Sequence, residues 1–292
     1  MSETPTITFR PVQVADRDRL LAIAKQIWEG EDYLPAVFDR WVRDSRAYFV
    51  AMLLDGEVVG CGRLVSLDER RGWLETLRVD PAYQGRGLGH RMARHVIGRA
   101  CDEGFEELLF STYFSNRSSI RINEVLGFRR IAAFTNLELT EVEQGVAWAS
   151  GIDCAAVSVG KDRLPARGYA WNDWLFLPVD LADRERYLPE VVSLRCGPYS
   201  LGLARNTKHE CSREICWIET PDGAVPPACV AAAILRAHAL QATRLHIMVP
   251  QGVALESFTA AGFFFYEQPE DVFLFAARAK EIRLPRAVGD LD

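Results

Sequence analysis

The stretch that decides the fold of this chain reads Leu77-Arg78-Val79-Asp80-Pro81-Ala82-Tyr83-Gln84-Gly85-Arg86-Gly87-Leu88-Gly89-His90-Arg91. An apolar strand pattern ends here in a turn with glycines at alternate positions, and a helical pattern begins directly after the turn. Glycines let successive backbone N–H groups converge, and the first turn of a helix presents further N–H groups and a positive dipole end. The stretch therefore predicts a backbone cradle for a phosphate-bearing ligand.

The spacing of the glycines excludes two common nucleotide-binding motifs. A dinucleotide-binding turn needs G-x-G-x-x-G, whereas the glycines here alternate. A P-loop needs Gly-Lys-Ser/Thr, and no lysine occurs between Lys25 and Lys161. A different phosphate-bearing ligand is therefore expected.

The longer pattern Val-x-Pro-x-x-Gln-x-x-Gly-x-Gly resembles the acyl-coenzyme A loop of the GNAT superfamily of N-acetyltransferases. Its pattern residues are Val79, Pro81, Gln84, Gly87 and Gly89. The resemblance implies acetyl-coenzyme A as the co-substrate and no metal. The coenzyme-binding residues that it implies are Leu77, Arg78, Val79, Gln84, Gly85, Arg86, Gly87, Leu88, Gly89, His90, Arg91 and Asn116.

Asn116 begins a second family signature, which ends in Leu126-Gly127-Phe128. The resemblance implies that Asn116 bonds the pantetheine or the phosphates of the coenzyme. As an alternative, Asn116 is simply the N-cap of the helix that follows it. Many family members carry a tyrosine four residues before the glycine, where it protonates the departing thiolate. This chain has Asn123 there, and Tyr113 is the candidate substitute.

Composition narrows the function classes. The chain has 292 residues, enough for two domains, and a net charge of −6, which argues against a general nucleic-acid binder. Residues 81–101 nevertheless carry four arginines and no acidic residue, which suits a phosphate-rich coenzyme. The polar start and the absence of a long apolar run predict neither export nor membrane insertion. Seven cysteines without a Cys-x-x-Cys pair predict reduced thiols in a cytoplasmic protein and no metal site.

Hydrophobic periodicity predicts the element order α-α-β-β-β-α-β-α-β, which the GNAT fold requires. The helices are expected at Asp16–Trp28, Ala36–Arg43, a helix ending near Asp102, and Arg117–Val125. Strands are expected at Tyr48–Leu54, Glu57–Ser66, Trp73–Val79, Glu107–Phe114 and from Phe128. The resemblance covers roughly Thr6–Leu139 and predicts an α/β fold with a mixed, mostly antiparallel sheet and flanking helices.

The rest of the chain echoes the same order in weaker form. Residues 1–150 are predicted as the catalytic domain, 151–167 as a linker and 168–292 as a degenerate second GNAT-like domain. Strands are expected at Trp174–Leu177, Leu194–Arg205, Ile215–Glu219 and Arg244–Val249, with helices at Ala228–Leu240 and Ala254–Ala261. Thr220–Pro227 stands where the cradle would be, and its prolines remove amide donors. This half is expected to support the pocket of the first domain without binding coenzyme A.

Glu75 is the predicted general base, because it lies on the strand that leads into the cradle and the family often places a catalytic glutamate there. The alternative is an ion pair between Glu75 and Arg63 or Arg78 on a sheet face. A backbone N–H near Leu77 is the expected oxyanion donor. Transfer is expected to be direct, without a covalent enzyme intermediate.

The segment Asp32-Tyr33-Leu34-Pro35, with Phe38 and Trp41 after it, resembles the histidine N-acetyltransferase branch. The resemblance implies acetylation of the α-amine of L-histidine, with Asp32, Tyr33 and Arg63 as acceptor-binding residues. Two alternatives stay open. One is a protein or peptide N-acetyltransferase, and the other is a non-catalytic acyl-coenzyme A sensor.

Overall fold

The computed structural model describes residues 5–27, 30, 32–161, 165 and 167–284. The predicted helix end at Trp28 and four residues of the predicted linker lie outside this part of the chain. Packing divides the chain into two units. Unit 1 comprises Met1–Phe110, Asn116–Arg129 and Phe275–Asp292, and unit 2 comprises Ser111–Ser115 and Arg130–Leu274.

Unit 1 is a sheet with helices packed on it, and its elements follow the predicted order after a first strand, Ile7–Pro11, that was not predicted. Its elements are β1 Ile7–Pro11, α1 Arg17–Ala24, α2 Leu34–Val42, β2 Ala47–Leu54, β3 Glu57–Ser66, β4 Arg71–Val79, α3 Leu88–Asp102, β5 Glu107–Tyr113 and α4 Arg117–Val125. Strands β1 to β4 are antiparallel neighbours, and β4 and β5 are parallel. Helix α1 is shorter than predicted, because Asp16 belongs to a separate 3-10 turn, Val14–Asp16, and because the helix already ends at Ala24.

Helix α3 packs on the sheet through its predicted apolar stripe. Leu88, Met92, Val96, Ile97 and Ala100 are all buried. The close approach depends on Gly62 of β3, because a Cβ atom there would lie 3.1 Å from the sulfur of Met92. The helix after the glycine turn is thereby fixed against the middle of the sheet.

Unit 2 repeats the same succession of antiparallel strands, turn, helix and parallel strand. Its elements are β6 Arg129–Leu139, α5 Val142–Ser150, β7 Ser158–Lys161, β8 Tyr169–Asn172, β9 Leu175–Pro178, β10 Val192–Cys196, β11 Tyr199–Arg205, β12 Ser212–Glu219, α6 Pro227–Ala239, β13 Arg244–Pro250, α7 Glu256–Ala260, β14 Phe264–Phe265 and β15 Val272–Arg278. The strand order is β7-β10-β11-β12-β13-β6, with β12 and β13 parallel. Strands β8 and β9 form a separate hairpin.

The strand expected at Leu194–Arg205 is wrong as a single element. The chain reverses at Gly197, whose φ is +58°, so that β10 and β11 form an antiparallel hairpin. Gly197 and Pro198 are the turn signal that the periodicity overlooked. The elements without a counterpart in the predicted order are helix α5 and strands β1, β7, β8, β14 and β15.

The last strand of each half joins the other unit. Strand β6 follows α4 in the chain and pairs with β13 in unit 2. Strand β15 follows α7, lies beside β5 in the strand order, and has its last residues, Phe275–Arg278, in unit 1. The predicted α/β class with a mixed sheet and flanking helices is confirmed. The predicted domains 1–150 and 168–292 describe the two repeats of the sequence and stay a prediction.

Candidate active site

The glycine turn is anchored by a buried aspartate at the end of β4. Asp80 is 3% exposed, and its Oδ1 accepts a hydrogen bond from the backbone N–H of Ala82 at 2.8 Å. Arg19 of α1 contacts Asp80 Oδ2 at 2.5 Å and also donates to the carbonyl oxygen of Val58. The start of the turn is therefore held to both the helix and the sheet.

The turn itself is open. Gly85 and Gly87 have φ of +76° and +72°, which glycine adopts without strain, and a Cβ atom at either would meet no heavy atom within 4 Å. Residues 84–87 are exposed, and α3 begins at Leu88 with no acidic residue in its first turn. Arg86 lies 5.2 Å from the ring centre of Tyr83, and Arg91 is exposed. Leu88 is buried, and the other predicted residues of 84–91 form an accessible, N–H-rich turn that fits a phosphate group.

Strands β4 and β5 separate beside this turn. The two strands pair in parallel between Arg71–Trp73 of β4 and Glu107–Leu109 of β5. Farther along β4, the strand pairs with β3 in the described part of the chain. The end of β4 that leads to the glycine turn therefore has a free edge for a ligand.

A β-bulge interrupts β4 next to Glu75. Between the pairs Cys61–Arg78 and Arg63–Glu75, β4 has one residue more than β3. Thr76 has φ of +63°, a strained conformation for a β-branched residue, and its hydroxyl lies 3.1 Å from the hydroxyl of Tyr33. Leu77 is turned outward and is 41% exposed. Strained backbone and bulges of this kind are common beside ligand sites, so this end of β4 is a candidate for the reactive end.

Glu75 forms an ion pair with Arg63, which faces it on β3. Arg63 also donates from Nη2 to Asp44 Oδ2 at 2.7 Å, and its guanidinium lies 4.3 Å from the ring centre of Trp41. The guanidinium is thus held by two carboxylates and an aromatic face, and Arg63 is 5% exposed. The ion pair predicted as the alternative for Glu75 is present, and the trio of Arg63, Glu75 and Asp44 has a net charge of −1 when both carboxylates are ionised.

Arg78 is buried in a bidentate pair with Asp32. Arg78 donates from Nη2 to Asp32 Oδ1 at 2.8 Å and from Nε to Oδ2, and the two side chains are 6% and 1% exposed. Its guanidinium lies 4.8 Å from the ring centre of Tyr33. The structure therefore places Asp32 and Tyr33 beside Arg78, and a coenzyme contact by Arg78 would have to come from its backbone.

Asn116 and Asn123 have local partners on α4. Asn116 is the N-cap, and its side chain accepts a hydrogen bond from the backbone N–H of Ser119 at 3.2 Å. Asn123 is buried and donates to the carbonyl oxygen of Ser119 at 2.8 Å. The capping role predicted as the alternative for Asn116 is thus present.

Tyr113 lies in unit 2, whereas Glu75 lies in unit 1. Its hydroxyl oxygen accepts a hydrogen bond from the side chain of Asn136 at 3.1 Å. Burial raises the pKa of Tyr113 well above the usual value for tyrosine. A raised pKa weakens a general acid, so the role of Tyr113 stays a prediction.

A comparison with protein families covers the segment just described. Residues 17–128 match the model of the acetyltransferase (GNAT) family, from α1 through the glycine turn to Phe128. These residues form a GNAT acetyltransferase domain. The predicted enzyme class, an acyltransferase, is confirmed, and GNAT acetyltransferases use acetyl-coenzyme A.

Relatives of known function share the same region. RimI of Mycobacterium tuberculosis, an N-alpha-acetyltransferase, is 28% identical over 134 residues, which are 44% of this chain and 83% of RimI. A histidine N-acetyltransferase of Oreochromis niloticus is 27% identical over 89 residues, which are 30% of this chain and 26% of that protein. The chain thus spans about a quarter of the histidine enzyme.

The fold is similar to the solved structure of a tandem GNAT protein from the clavulanic acid biosynthesis pathway. The structural match covers 94% of this chain and 99% of that protein's chain, with a TM-score of 0.58. At 14% identity this likeness shows the fold alone.

Several residues around the GNAT site had no predicted role. Asp44 and Trp41 were not predicted to hold Arg63, and Thr76 carried no signal, because nothing in a β-branched residue predicts a positive φ. In the described residues there is no group of three or more His, Cys, Asp or Glu that could hold a metal ion. No helix in those residues is long and apolar enough to cross a membrane.

Proposed function

We propose that unit 1 transfers an acetyl group from acetyl-coenzyme A to a primary amine, with Glu75 as the general base. The observation that carries the proposal is the open glycine turn at the start of α3, which follows the free edge of β4, the strand that also carries Glu75 and the bulge after it. Residues 84–91 would hold the phosphates through backbone N–H groups and through Arg86 and Arg91. The bound thioester supplies an activated acetyl group.

The residues of the bulge would carry out the remaining steps. The backbone N–H of Leu77 would donate to the carbonyl oxygen as negative charge develops on it. Glu75 would accept the proton of the amine, since an ionised carboxylate offers about four lone-pair positions on its two oxygens. Arg63 would act as a positioning residue that fixes the carboxylate of Glu75.

Direct transfer is supported by the state of the nearest thiol. Cys61 on β3 is fully buried, and burial raises its pKa to about 12. The thiolate is the nucleophilic form of cysteine, so Cys61 is unsuited to carry the acetyl group. The amine would therefore attack the thioester itself, and coenzyme A would leave as the thiolate and take a proton from water.

The acceptor has two candidates. The first is the α-amine of L-histidine, which the segment around Tyr33 and the resemblance to histidine N-acetyltransferases support. Binding a free amino acid calls for a cation that takes its carboxylate. However, Arg63 and Arg78 are both buried and already paired with carboxylates.

This pairing favours the second candidate, the N-terminal α-amine of a peptide. A peptide has no carboxylate next to its amine, so it needs no free guanidinium at that place. The net negative charge of the Arg63, Glu75 and Asp44 trio suits a protonated amine on its way to the site. The similarity to RimI, an N-alpha-acetyltransferase, supports the same candidate.

The predicted cytoplasmic location and the second domain also belong to this proposal. All seven cysteines are free, as expected of a reducing compartment. The repeated strand order of unit 2 and the match of the whole chain to a tandem GNAT fold support a degenerate second GNAT-like domain.

The test is thiol release from acetyl-coenzyme A with L-histidine, other free amino acids, polyamines and short peptides as acceptors. Glu75→Gln is expected to lower kcat by about a hundredfold while leaving coenzyme affinity unchanged, as loss of a general base should. Glu69→Gln, an exposed carboxylate of the turn before β4, is the matched control.

The outcomes separate the candidates. Turnover with peptides but not with histidine selects the peptide acceptor, and the reverse selects histidine. Coenzyme binding without turnover on any amine would support the sensor. Turnover that Glu75→Gln leaves unchanged removes Glu75 from the mechanism.

A further inference from the structure

Unit 2 contains a group of aromatic and acidic residues that acetyl transfer does not explain. We call it the aromatic-acidic cluster, formed by Tyr113, Trp174, Tyr266, Glu267 and Asp271. The ring of Tyr113 is stacked on that of Tyr266, with centres 5.4 Å apart and planes 16° apart. Trp174 meets Tyr113 edge-on, with ring centres 4.3 Å apart. Tyr266 is 46% exposed and Tyr113 is buried, so the rings lead from the surface to the interior.

One residue of β6 fixes three members of the cluster. The backbone N–H of Asn136 donates to Asp271 Oδ1 at 2.8 Å, and its carbonyl oxygen accepts from the backbone N–H of Tyr266 at 3.2 Å. Its side-chain amide donates to the hydroxyl oxygen of Tyr113 at 3.1 Å. The arrangement is therefore built by the sheet, not by a surface loop alone.

The cluster has a surplus of negative charge. Asp271 is fully buried, and its Oδ2 has no hydrogen-bond partner among the described residues. Burial, with Glu267 nearby, raises the pKa of Asp271 to about 6, so the carboxyl is ionised at neutral pH. The charges of Asp271 and Glu267 and the neighbouring Tyr266 also raise the pKa of Tyr113. In the described part of the chain no Lys, Arg or His forms an ion pair with Asp271 or Glu267.

We propose that the aromatic-acidic cluster binds an organic ammonium ion. A buried carboxylate without a cation is costly, and a bound cation would offset that cost. The faces of tyrosine and tryptophan attract ammonium groups through the negative charge of their π-systems. Glu267, which is exposed, would attract the ion at the surface, and Asp271 would supply the buried counter-charge.

The site is independent of the proposed acetyl transfer, because it lies in unit 2 and involves neither the glycine turn nor Glu75. The ammonium ion has two chemical sources, the acceptor itself or an amine that does not react. A probe that cannot be acetylated therefore tests the site by itself.

The experiment is a calorimetric titration of the full chain with tetramethylammonium, against sodium at equal ionic strength. Saturable binding is expected at about pH 7.5. Binding should be several-fold weaker at about pH 5, where a carboxyl with a pKa of about 6 is ionised in roughly one molecule in ten. Asp271→Asn is expected to weaken binding about tenfold and to remove its pH dependence. Glu256→Gln, an exposed carboxylate of α7, is the matched control and should change neither.

Tyr266→Ala provides a second variant, because an exposed side chain can be truncated without loss of the fold. It should weaken binding several-fold. The absence of saturable binding, or binding that both Asp271→Asn and Tyr266→Ala leave unchanged, would overturn the site. If tetramethylammonium competes with the acceptor during turnover, the ligand is the acceptor's own ammonium; binding without competition assigns the site to a separate amine.

Discussion

The turn before α3 in unit 1 and the turn before α6 in unit 2 occupy the same place in the repeated strand order, yet they differ in what fills them. In unit 1, the space beside Gly85 and Gly87 is open. In unit 2, Asp222 accepts hydrogen bonds from the backbone N–H of Ala224 and the hydroxyl of Tyr199, both at 3.0 Å. A Cβ atom on Gly223 would lie 2.7 Å from a backbone carbonyl oxygen. The same topology thus gives a ligand-ready turn or a closed one, depending on a few residues.

The bulges of β4 and β12 show the same contrast. The register places Ile215 of β12 where β4 has Glu75, and Leu203 opposite it where β3 has Arg63. Trp217 is fully buried and packs over Gly202, whose Cβ position lies 2.1 Å from the indole. Leu77, at the matching place of unit 1, is 41% exposed. In unit 2 this position is therefore filled by an aromatic core residue, whereas in unit 1 the same position is left open.

The largest effect is expected from truncating the bulge residue of unit 2. Trp217→Ala should lower the free energy of unfolding by about 3–5 kcal/mol, because it leaves a large cavity. Leu77→Ala should cost less than about 1 kcal/mol, because the side chain is already partly in water. Urea unfolding of the two variants measures the difference, and equal losses would show that the two bulges are packed alike.

Breaking the buried ion pair of unit 1 should have the next largest effect. Arg78→Met leaves Asp32 buried without its cation, and the free energy of unfolding should fall by about 3 kcal/mol. Arg70→Met is the control, since Arg70 and Glu106 form an exposed pair at 2.7 Å and its loss should leave the urea midpoint of unfolding almost unchanged. If both variants unfold at the same urea concentration, the buried pair contributes no more than a surface pair.

Neutralising the buried carboxylate of Asp271 in unit 2 should stabilise the protein, whereas the two preceding substitutions destabilise it. Its folded-state pKa of about 6 is raised from 3.8, so the stability it contributes is complete below about pH 4 and is lost as the pH rises through about 6. At neutral pH, Asp271→Asn should therefore raise the free energy of unfolding by roughly 3 kcal/mol and shift unfolding to a higher urea concentration, whereas near pH 4 the two proteins should be equally stable. A difference that does not change with pH would exclude a raised pKa.

The smallest effects come from adding one methyl group to each turn. Gly87→Ala should weaken coenzyme A binding about tenfold and cost about 1 kcal/mol of stability, because alanine is strained at a positive φ but meets no neighbour. Gly223→Ala should cost about 2 kcal/mol through its clash and leave coenzyme binding unchanged. Calorimetry with coenzyme A and urea unfolding test both variants, and coenzyme binding that weakens equally in both would contradict the assignment of the cradle to unit 1.

Local patterns predicted most of the elements correctly. The hairpin β2–β3, the end of α3 at Asp102 and helix α4 match the expected bounds, because glycine turns, caps and apolar stripes act over a few residues. The hairpin β10–β11 was missed, since Gly197 and Pro198 were included in one long strand although they form a turn signal. Strand β15 was missed because the neighbour of a final strand depends on the whole sheet.

The sequence by itself determined the strand, the glycine turn and the helix that together form the coenzyme cradle, because φ preferences and N–H exposure are properties of neighbouring residues. Only the tertiary structure decided the charges of the site. Arg78 pairs with Asp32 across 46 positions, and Arg63 with both Asp44 and Glu75 across 19 and 12. Such pairings depend on strand register and on the bulge at Thr76, where one residue more or less changes which side chains meet.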